Sequence, residues 1–243
     1  MTNPTPPNQP SPLSLHGITK AFGENLVLRG ASLSLPAGTS TALIGPSASG
    51  KSVLLKCAAG LHPIDQGRID VLGQADIGDW SDLRPRIGIL FQRNALFDSM
   101  KVWENVAFPL RRHGMAKAAA WTEAIRLLAL VGLDERAARG MPKDLSGGMQ
   151  KRAALARAIA GSPDLLLLDD PTAGLDPVMA ASVEQLVRYT MRANKATALI
   201  VTADVQNLAD RFDQVAILDQ GKIIWNGPAG DLPGDAHPLL KAA

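Results

Sequence analysis

One cysteine, Cys57, stands among 243 residues, so an internal disulfide is excluded and a reducing compartment suits the chain. Inside a helical pattern that lone thiol reads as a small buried hydrophobe. No apolar run approaches the roughly 20 residues that a membrane-spanning helix requires. The start, "MTNPTPPNQPSP", has no basic end and no apolar stretch, and so does not read as a secretory signal. Pro4, Pro6, Pro7, Pro10 and Pro12 remove backbone donors there, and residues 1–12 read as a disordered lead-in. A net charge of +2 gives no field that would favour nucleic acid. His16, His62, His113 and His237 are scattered without metal-ligand spacing, and "LRRHG" is too short a basic run for lipid headgroups. No internal repeat is visible. The expectation is a soluble chain that serves a membrane only through a partner.

What is present is a hydrophobic content of 46 %, enough for one large domain or a core with an inserted subdomain. From Leu13 to about Leu43 the segments "LSLHGIT", "LVLRGASLSL" and "STALIG" are short, β-like and separated by Gly and Pro. Between residues 93 and 162 the character turns helical: Trp121, Ile125 and Leu128 fall at helical spacing, and "GGMQKRAALARAIAG" is stopped by Gly161 and Pro163. Strands and helices then alternate through "LLLL", "PVMAASVEQLVRYTMRA", "TALIV", "VQNLADRF", "QVAIL" and "GKIIWNG". Alternation of this kind argues a parallel, helix-covered sheet. The expected organisation is an α/β core over 13–92 and 163–230, a helical insert over 93–162, and a tail over 231–243. Trp80 and Trp225 read as packing or surface rings.

"GPSASGKS", Gly45 to Ser52, fits the phosphate-loop pattern, with a strand before it and a helix after it. In such a loop the successive N–H groups of Gly45, Pro46, Ser47, Ala48, Ser49, Gly50, Lys51, Ser52 and Val53 (Pro46 excepted) curve around phosphate oxygens. The helix N-terminus adds partial positive charge. Lys51 would reach the β- and γ-phosphates and Ser52 would ligate Mg²⁺. The bland alternative, a Gly-rich turn that binds nothing, leaves Lys-Ser at that offset without a purpose. The motif implies a nucleotide but not a reaction.

"LLLLDDPTAGLDP" runs from Leu165 to Pro177. Its leucines read as a strand buried on both faces, which delivers Asp169 to the C-terminal edge of the sheet, where ligands collect. A carboxylate there can hold Mg²⁺, directly or through water, opposite Ser52. Asp176-Pro177 reads as N-cap and first residue of the next helix, a role that does not exclude a functional one.

"LSGGMQKRAALARAIA" starts a helix with Ser146, Gly147 and Gly148, whose tip an anion can approach closely. With the phosphate loop and "LLLLDDPTAGLD", in this order from Leu13 to about Gly230, the chain closely resembles the ATP-binding cassette (ABC) ATPases. The resemblance implies an α/β P-loop NTPase core of RecA-like type, an antiparallel β subdomain and an inserted α-helical subdomain, with ATP and Mg²⁺ as cofactors. It also implies a head-to-tail dimer, in which Ser146, Gly147 and Gly148 of one copy close over the γ-phosphate of another. Phe22, in "KAFG", matches the aromatic that stacks on adenine, with a core ring as its alternative. Gln92 matches the residue that senses γ-phosphate and metal. Gly174, Leu175 and Asp176 match the loop that touches the opposite subunit. In ABC transporters the groove after Gln92, here as far as Leu110, receives a short helix from the membrane permease. Phe97, Trp103 and Phe108 are either that groove or core.

Three positions leave the family pattern. Ala48 replaces a glycine, which is tolerable at negative φ and then of modest effect. Asp170 takes the place of the glutamate that acts as general base or positions water, one methylene shorter, and a displacement of about 1 Å can cost on the order of 10²-fold in rate. Ala203 takes the place of a histidine on the γ-phosphate, and removing one such donor costs about 10²–10³-fold. Asp204, an acceptor, cannot replace it. Slow hydrolysis with intact binding is therefore expected, with Asp170, Gln92 and Lys51 as the catalytic set and Ser52, Gln92 and Asp169 on the metal. This suits the weak half of a heterodimer or a slow homodimer.

"KSVLLKC" and "ALFDSMKVWENVAFPL" carry a further resemblance to ATPases of Mla-type lipid transporters and toluene-tolerance systems. That resemblance implies phospholipid transport at the inner membrane, peripheral attachment on the cytoplasmic side through the permease, and a periplasmic lipid-carrier protein as an indirect partner. The competing readings are a regulatory switch that barely hydrolyses ATP and a soluble ABC protein acting on DNA or the ribosome. The second of these is disfavoured by the short single cassette, the lack of a long coiled-coil insert and the near-neutral charge.

Overall fold

The computed structural model describes residues 11–75, 77–92, 96–234 and 238. Most of the proline-rich lead-in, most of the tail after Gly234 and His237 lie outside the described residues.

The strands of the described residues form two sheets. Strands β1 (Leu13–Phe22), β2 (Asn25–Leu35) and β4 (Gln66–Val71) make an antiparallel sheet in the order β2-β1-β4. The β1–β2 hairpin closes on the Gly23-Glu24 pair, where Gly23 supplies a φ of 60°. The second sheet has the order β5-β6-β7-β3-β8-β9. Its strands are β3 (Ser40–Ile44), β5 (Ile87–Leu90), β6 (Leu165–Asp169), β7 (Thr197–Val201), β8 (Gln214–Asp219) and β9 (Lys222–Pro228). All are parallel except β9, which returns antiparallel beside β8.

The four leucines of β6 show why this strand reads as a greasy run. Leu165 and Leu167 pack into a core shared with β1, β2 and α1 (Lys51–Ala58). Leu166 and Leu168 point the other way, into a core shared with the helical region. A strand covered on both faces has no position left for a polar residue until it reaches the sheet edge. Each leucine so buried contributes on the order of 1.5–3 kcal/mol, and the run therefore anchors the residue that follows it.

Helices α2 (Val102–Arg112), α3 (Lys117–Leu130), α4 (Glu135–Arg139) and α5 (Gly147–Ile159) lie between β5 and β6 in the chain. Trp103 is buried there, edge-on to Trp121 at 5.0 Å between centroids. Helix α6 (Pro177–Asn194) joins β6 to β7. The segment "VQNLADRF" keeps only one helical turn, α7 (Leu208–Arg211), because Asn207 before it is left-handed at φ 50° and Asp204 turns the chain by accepting from Gln206 N–H. Cys57 is fully buried on α1, and burial pushes its thiol up to about 11. Among the described residues no helix is long and apolar enough to cross a membrane. The architecture is an α/β core of a mostly parallel sheet, with a separate antiparallel sheet and a run of four helices inserted between β5 and β6.

Candidate nucleotide site

The loop from Gly45 to Gly50 leaves the C-terminal end of β3 and opens α1. Its shape depends on three left-handed or open backbones: Gly45 at φ 152°, Ala48 at φ 63° and Gly50, the α1 N-cap, at φ 106°. A β-carbon on Gly45 would strike the β8 backbone. Ser49 N–H donates to the Pro46 carbonyl at 3.2 Å, and Lys51 Nζ donates back to the carbonyls of Gly45 (2.8 Å) and Pro46 (2.7 Å). The ammonium thus stands inside the curve of its own loop. Burial lowers its pKa, while Asp169 and Asp170 pull it back up. Ser49 Oγ is buried without a hydrogen-bond partner, a polar atom that an added oxygen ligand would satisfy. The α1 first turn holds no acidic residue to compete with an anion.

Ala48 corrects an expectation. A negative φ was required for a modest effect, and the observed φ is +63°. The turn between Pro46 and Gly50 demands a left-handed residue at this position, so the methyl group is carried at a cost of roughly 1–2 kcal/mol. Ala48 and Ser47 are exposed, and the strain is not relieved by packing.

Asp169 ends β6 almost fully buried. Asp170 follows at φ 53°, half-buried, with its N–H donating to Val201 O at 2.9 Å. Burial raises the pKa of its carboxyl, Lys151 and Lys51 oppose that, and the carboxylates of Asp169 and Asp204 reinforce it. Aspartate visits the left-handed region more readily than most residues, so the shorter side chain suits this backbone. Among the described residues no cluster of three or more His, Cys, Asp or Glu converges on a cation. The ligands expected from the sequence, Asp169, the Ser52 hydroxyl and Gln92, would share a divalent ion with the oxygens its ligand brings. That sparse hard-oxygen set fits Mg²⁺, which keeps waters and takes one or two carboxylates plus phosphates.

Phe22 lies at the end of β1, 46 % exposed, with its edge to His62 at 5.5 Å and Lys20 Nζ 5.5 Å from its ring. It is no part of the core. Gln92 is exposed just beyond β5, and Arg93 to Ala95 lie outside the described residues. Ala203 is exposed after β7; Asp204 beside it accepts from Gln206 N–H and from Arg211, which also donates to Glu184 at 2.7 Å. Its carboxylate is engaged within the chain.

The tip of α5 is not brought to the phosphate loop. Ser146 caps α5, accepting from Met149 N–H at 3.3 Å, and Gly148 sits close under Leu175. Helix α5 packs on α2, α3, α6 and β5, whereas α1 packs on β2, β6 and β7. Ser146, Gly147, Gly174 and Asp176 are all exposed, and Val178 beside them is 74 % exposed. Asp176 Oδ1 accepts from Met179 N–H at 3.0 Å and caps α6.

Two residues with clear roles lacked a sequence signal. Asn105, fully buried, accepts from Phe97 N–H (2.6 Å) and donates to the carbonyls of Phe97, Met100 and Lys101. It holds one wall of a groove of about 360 Å³ formed by Ile89, Phe91, Phe97, Phe108, Pro109 and Arg157. Phe97 and Phe108 meet there at 5.0 Å. Lys151 is the other, a buried lysine in an otherwise alanine-rich helix.

A strand-loop-helix phosphate cradle beside two strand-end carboxylates, on this sheet order, defines a P-loop nucleotide-binding protein. Residues 28–173 match the ABC transporter profile, and the chain belongs to that family. It is 38 % identical over 237 residues to a probable ribonucleotide transport ATP-binding protein of Mycobacterium tuberculosis, covering 94 % of this chain and 65 % of that relative. It is 36 % identical over 244 residues to the chloroplastic protein trigalactosyldiacylglycerol 3 of Arabidopsis thaliana, covering 92 % and 70 %. A dimeric ATP-binding cassette in a post-hydrolysis state, bound to ADP and phosphate, superposes with a TM-score of 0.82 at 29 % identity, over 89 % of this chain and 98 % of that one. The chain thus spans about two thirds of the length of the curated relatives it matches.

Proposed function

We propose that this chain is the ATP-binding subunit of an ABC transporter, which couples Mg-ATP binding and hydrolysis to transport by a separate membrane permease. The observation that carries the reading is Lys51 inside an amide-lined loop, within the field of both Asp169 and Asp170. Lys51 meets the β- and γ-phosphates; Ser52, Asp169 and Gln92 would hold Mg²⁺, which would supply neutralisation of phosphate charge. Asp170 orients or deprotonates the attacking water. Phe22 stacks on adenine. Ser146, Gly147, Gly148 and Asp176, which stand apart from the phosphate loop within one chain, serve the site of a second copy or a related subunit. The Phe97–Phe108 groove takes a permease helix, which places the chain on the cytoplasmic face of the membrane.

The transported substrate is lipid. The likeness to Mla-type ATPases in "KSVLLKC" and "ALFDSMKVWENVAFPL" supports this, as does a relative named for trigalactosyldiacylglycerol. The test is purification of the chain with its permease from native membranes in mild detergent, followed by mass spectrometry of proteins and lipids. A permease accompanied by a one-helix lipid-carrier protein and bound phospholipid is expected. A permease that instead carries ribonucleotide or an amino acid would overturn the lipid assignment.

Hydrolysis at this chain's own loop is slow, because Asp170 is short and Ala203 offers no donor while Asp204 is engaged by Arg211. The purified chain should turn over Mg-ATP more slowly than its Asp170→Glu, Ala203→His double variant by about 10²-fold. Equal rates would sink this part alone.

A further inference from the structure

Helix α5 is tied to its surroundings by three successive side chains. Gln150 Nε2 donates to the carbonyls of Pro142 and Leu145, and Arg152 donates to the carbonyl of Val131. Lys151, between them, turns towards the nucleotide side. Its Nζ donates to Asp170 O at 3.0 Å and to Ala173 O at 2.6 Å. The residue is 8 % exposed. Among the described residues no carboxylate oxygen lies within ion-pair distance of it, and the buried ammonium is held by backbone carbonyls on the segment that presents Asp170.

The Asp170 peptide is left-handed and is gripped from both sides. Its N–H donates to Val201 on β7, and its carbonyl receives both Lys151 and, at 3.3 Å, the N–H of Ala173. Removing the ammonium leaves the carbonyl with one long hydrogen bond. The peptide can then rotate, and the carboxylate moves with it. Lysine buried merely for packing would be replaced by methionine without consequence, since the two are similar in length.

We propose that Lys151 is a positioning residue for hydrolysis, fixing the Asp170 backbone and coupling the helix whose tip serves a second subunit to the carboxylate of this chain's own site. The inference rests on Asp170 acting in hydrolysis, as read above. It assigns Lys151 no contact with nucleotide.

The experiment compares the full chain with Lys151→Met, Lys151→Arg and Asp170→Asn, and with the Lys151→Met, Asp170→Asn double variant. Steady-state and single-turnover hydrolysis are measured beside the dissociation constant for a fluorescent ATP analogue. Lys151→Met should lower kcat by about tenfold or more, as a 1 Å misplacement predicts. KM and nucleotide affinity should stay within about two-fold, because the cradle is untouched. Lys151→Arg, which keeps the charge and donors, should recover most of the rate. In the Asp170→Asn background Lys151→Met should change nothing further. Lys151→Met at native rate, or an undiminished loss in the Asp170→Asn background, overturns the proposal. If Lys151→Met does not fold, Lys151→Gln replaces it under the same criteria. Should Asp170→Asn alone leave the rate unchanged, the assignment of Asp170 fails; should it lower the rate while Lys151→Met stays at the native rate, only the clamp fails.

Discussion

A β-carbon built on Gly45 would stand 2.0 Å from the carbonyl oxygen of Leu218, a backbone atom of the neighbouring strand β8. The start of the phosphate loop is therefore pressed against the sheet, at φ 152°, and only glycine fits both the space and the dihedral. Gly45→Ala must push the loop away from β8 and displace the carbonyl that Lys51 holds. A loss of Mg-ATP affinity of about tenfold or more is expected by fluorescent-nucleotide titration, since preorganised anion contacts depend on this curve. Affinity within about two-fold of native would contradict the role given to the loop.

Ala48 carries the opposite lesson. Its φ of +63° suits glycine, and the exposed methyl group has no packing to lose. Ala48→Gly should stabilise the chain by up to about 1 kcal/mol after the extra entropy of the unfolded glycine is counted. At this size that is a rise in Tm of about 2–4 °C by calorimetry. A lowered Tm would mean that the left-handed alanine carries no strain.

Burial raises the Cys57 thiol to about 11, from 9.0. The folded state therefore keeps its proton where the unfolded chain has lost it. Between those two values the unfolded state binds fewer protons, and stability falls as pH rises; below about 9 the thiol contributes no slope. Native protein should resist iodoacetamide at pH 8 and react once unfolded in urea. Between pH 9 and 10.5 its urea midpoint should fall more steeply than that of Cys57→Ala. Rapid alkylation of the native chain would show that the thiol is reachable and the burial argument wrong.

Asn105 satisfies the Phe97 amide and caps three carbonyls from inside the helical region. Asn105→Ala deprives the part-buried Phe97 N–H and three carbonyls of their partner, which costs about 1–3 kcal/mol. Urea denaturation should show that loss, and protease sensitivity should rise over residues 96–101, one wall of the aromatic groove. Unchanged stability together with unchanged proteolysis would remove Asn105 as the groove's anchor.

Much of the site was legible because its motifs are local. "GPSASGKS" places amides, ammonium and hydroxyl within one turn, and neighbours in sequence are then neighbours in space. The same holds for Asp176 as a cap and for Asp169 at the end of a strand that its own leucines announce. Three aromatics after Gln92 were ambiguous in sequence for a physical reason: a ring against a groove and a ring in a core have the same composition. Packing separated them, burying Trp103 against Trp121 and leaving Phe97 and Phe108 on the groove.

The residues alone determined the class of the chain, since a phosphate loop, a helix-tip signature and a strand-end carboxylate are chemistry written at fixed short spacing. Tertiary structure decided what depends on distant partners. Ala48 is strained because the turn from Pro46 to Gly50 holds it at φ +63°, Asp204 is engaged because Arg211, itself held by Glu184, reaches it, and Lys151 matters because α5 passes behind Asp170. A backbone dihedral and a hydrogen bond across 19 residues are set by how elements pack, and no local pattern records them.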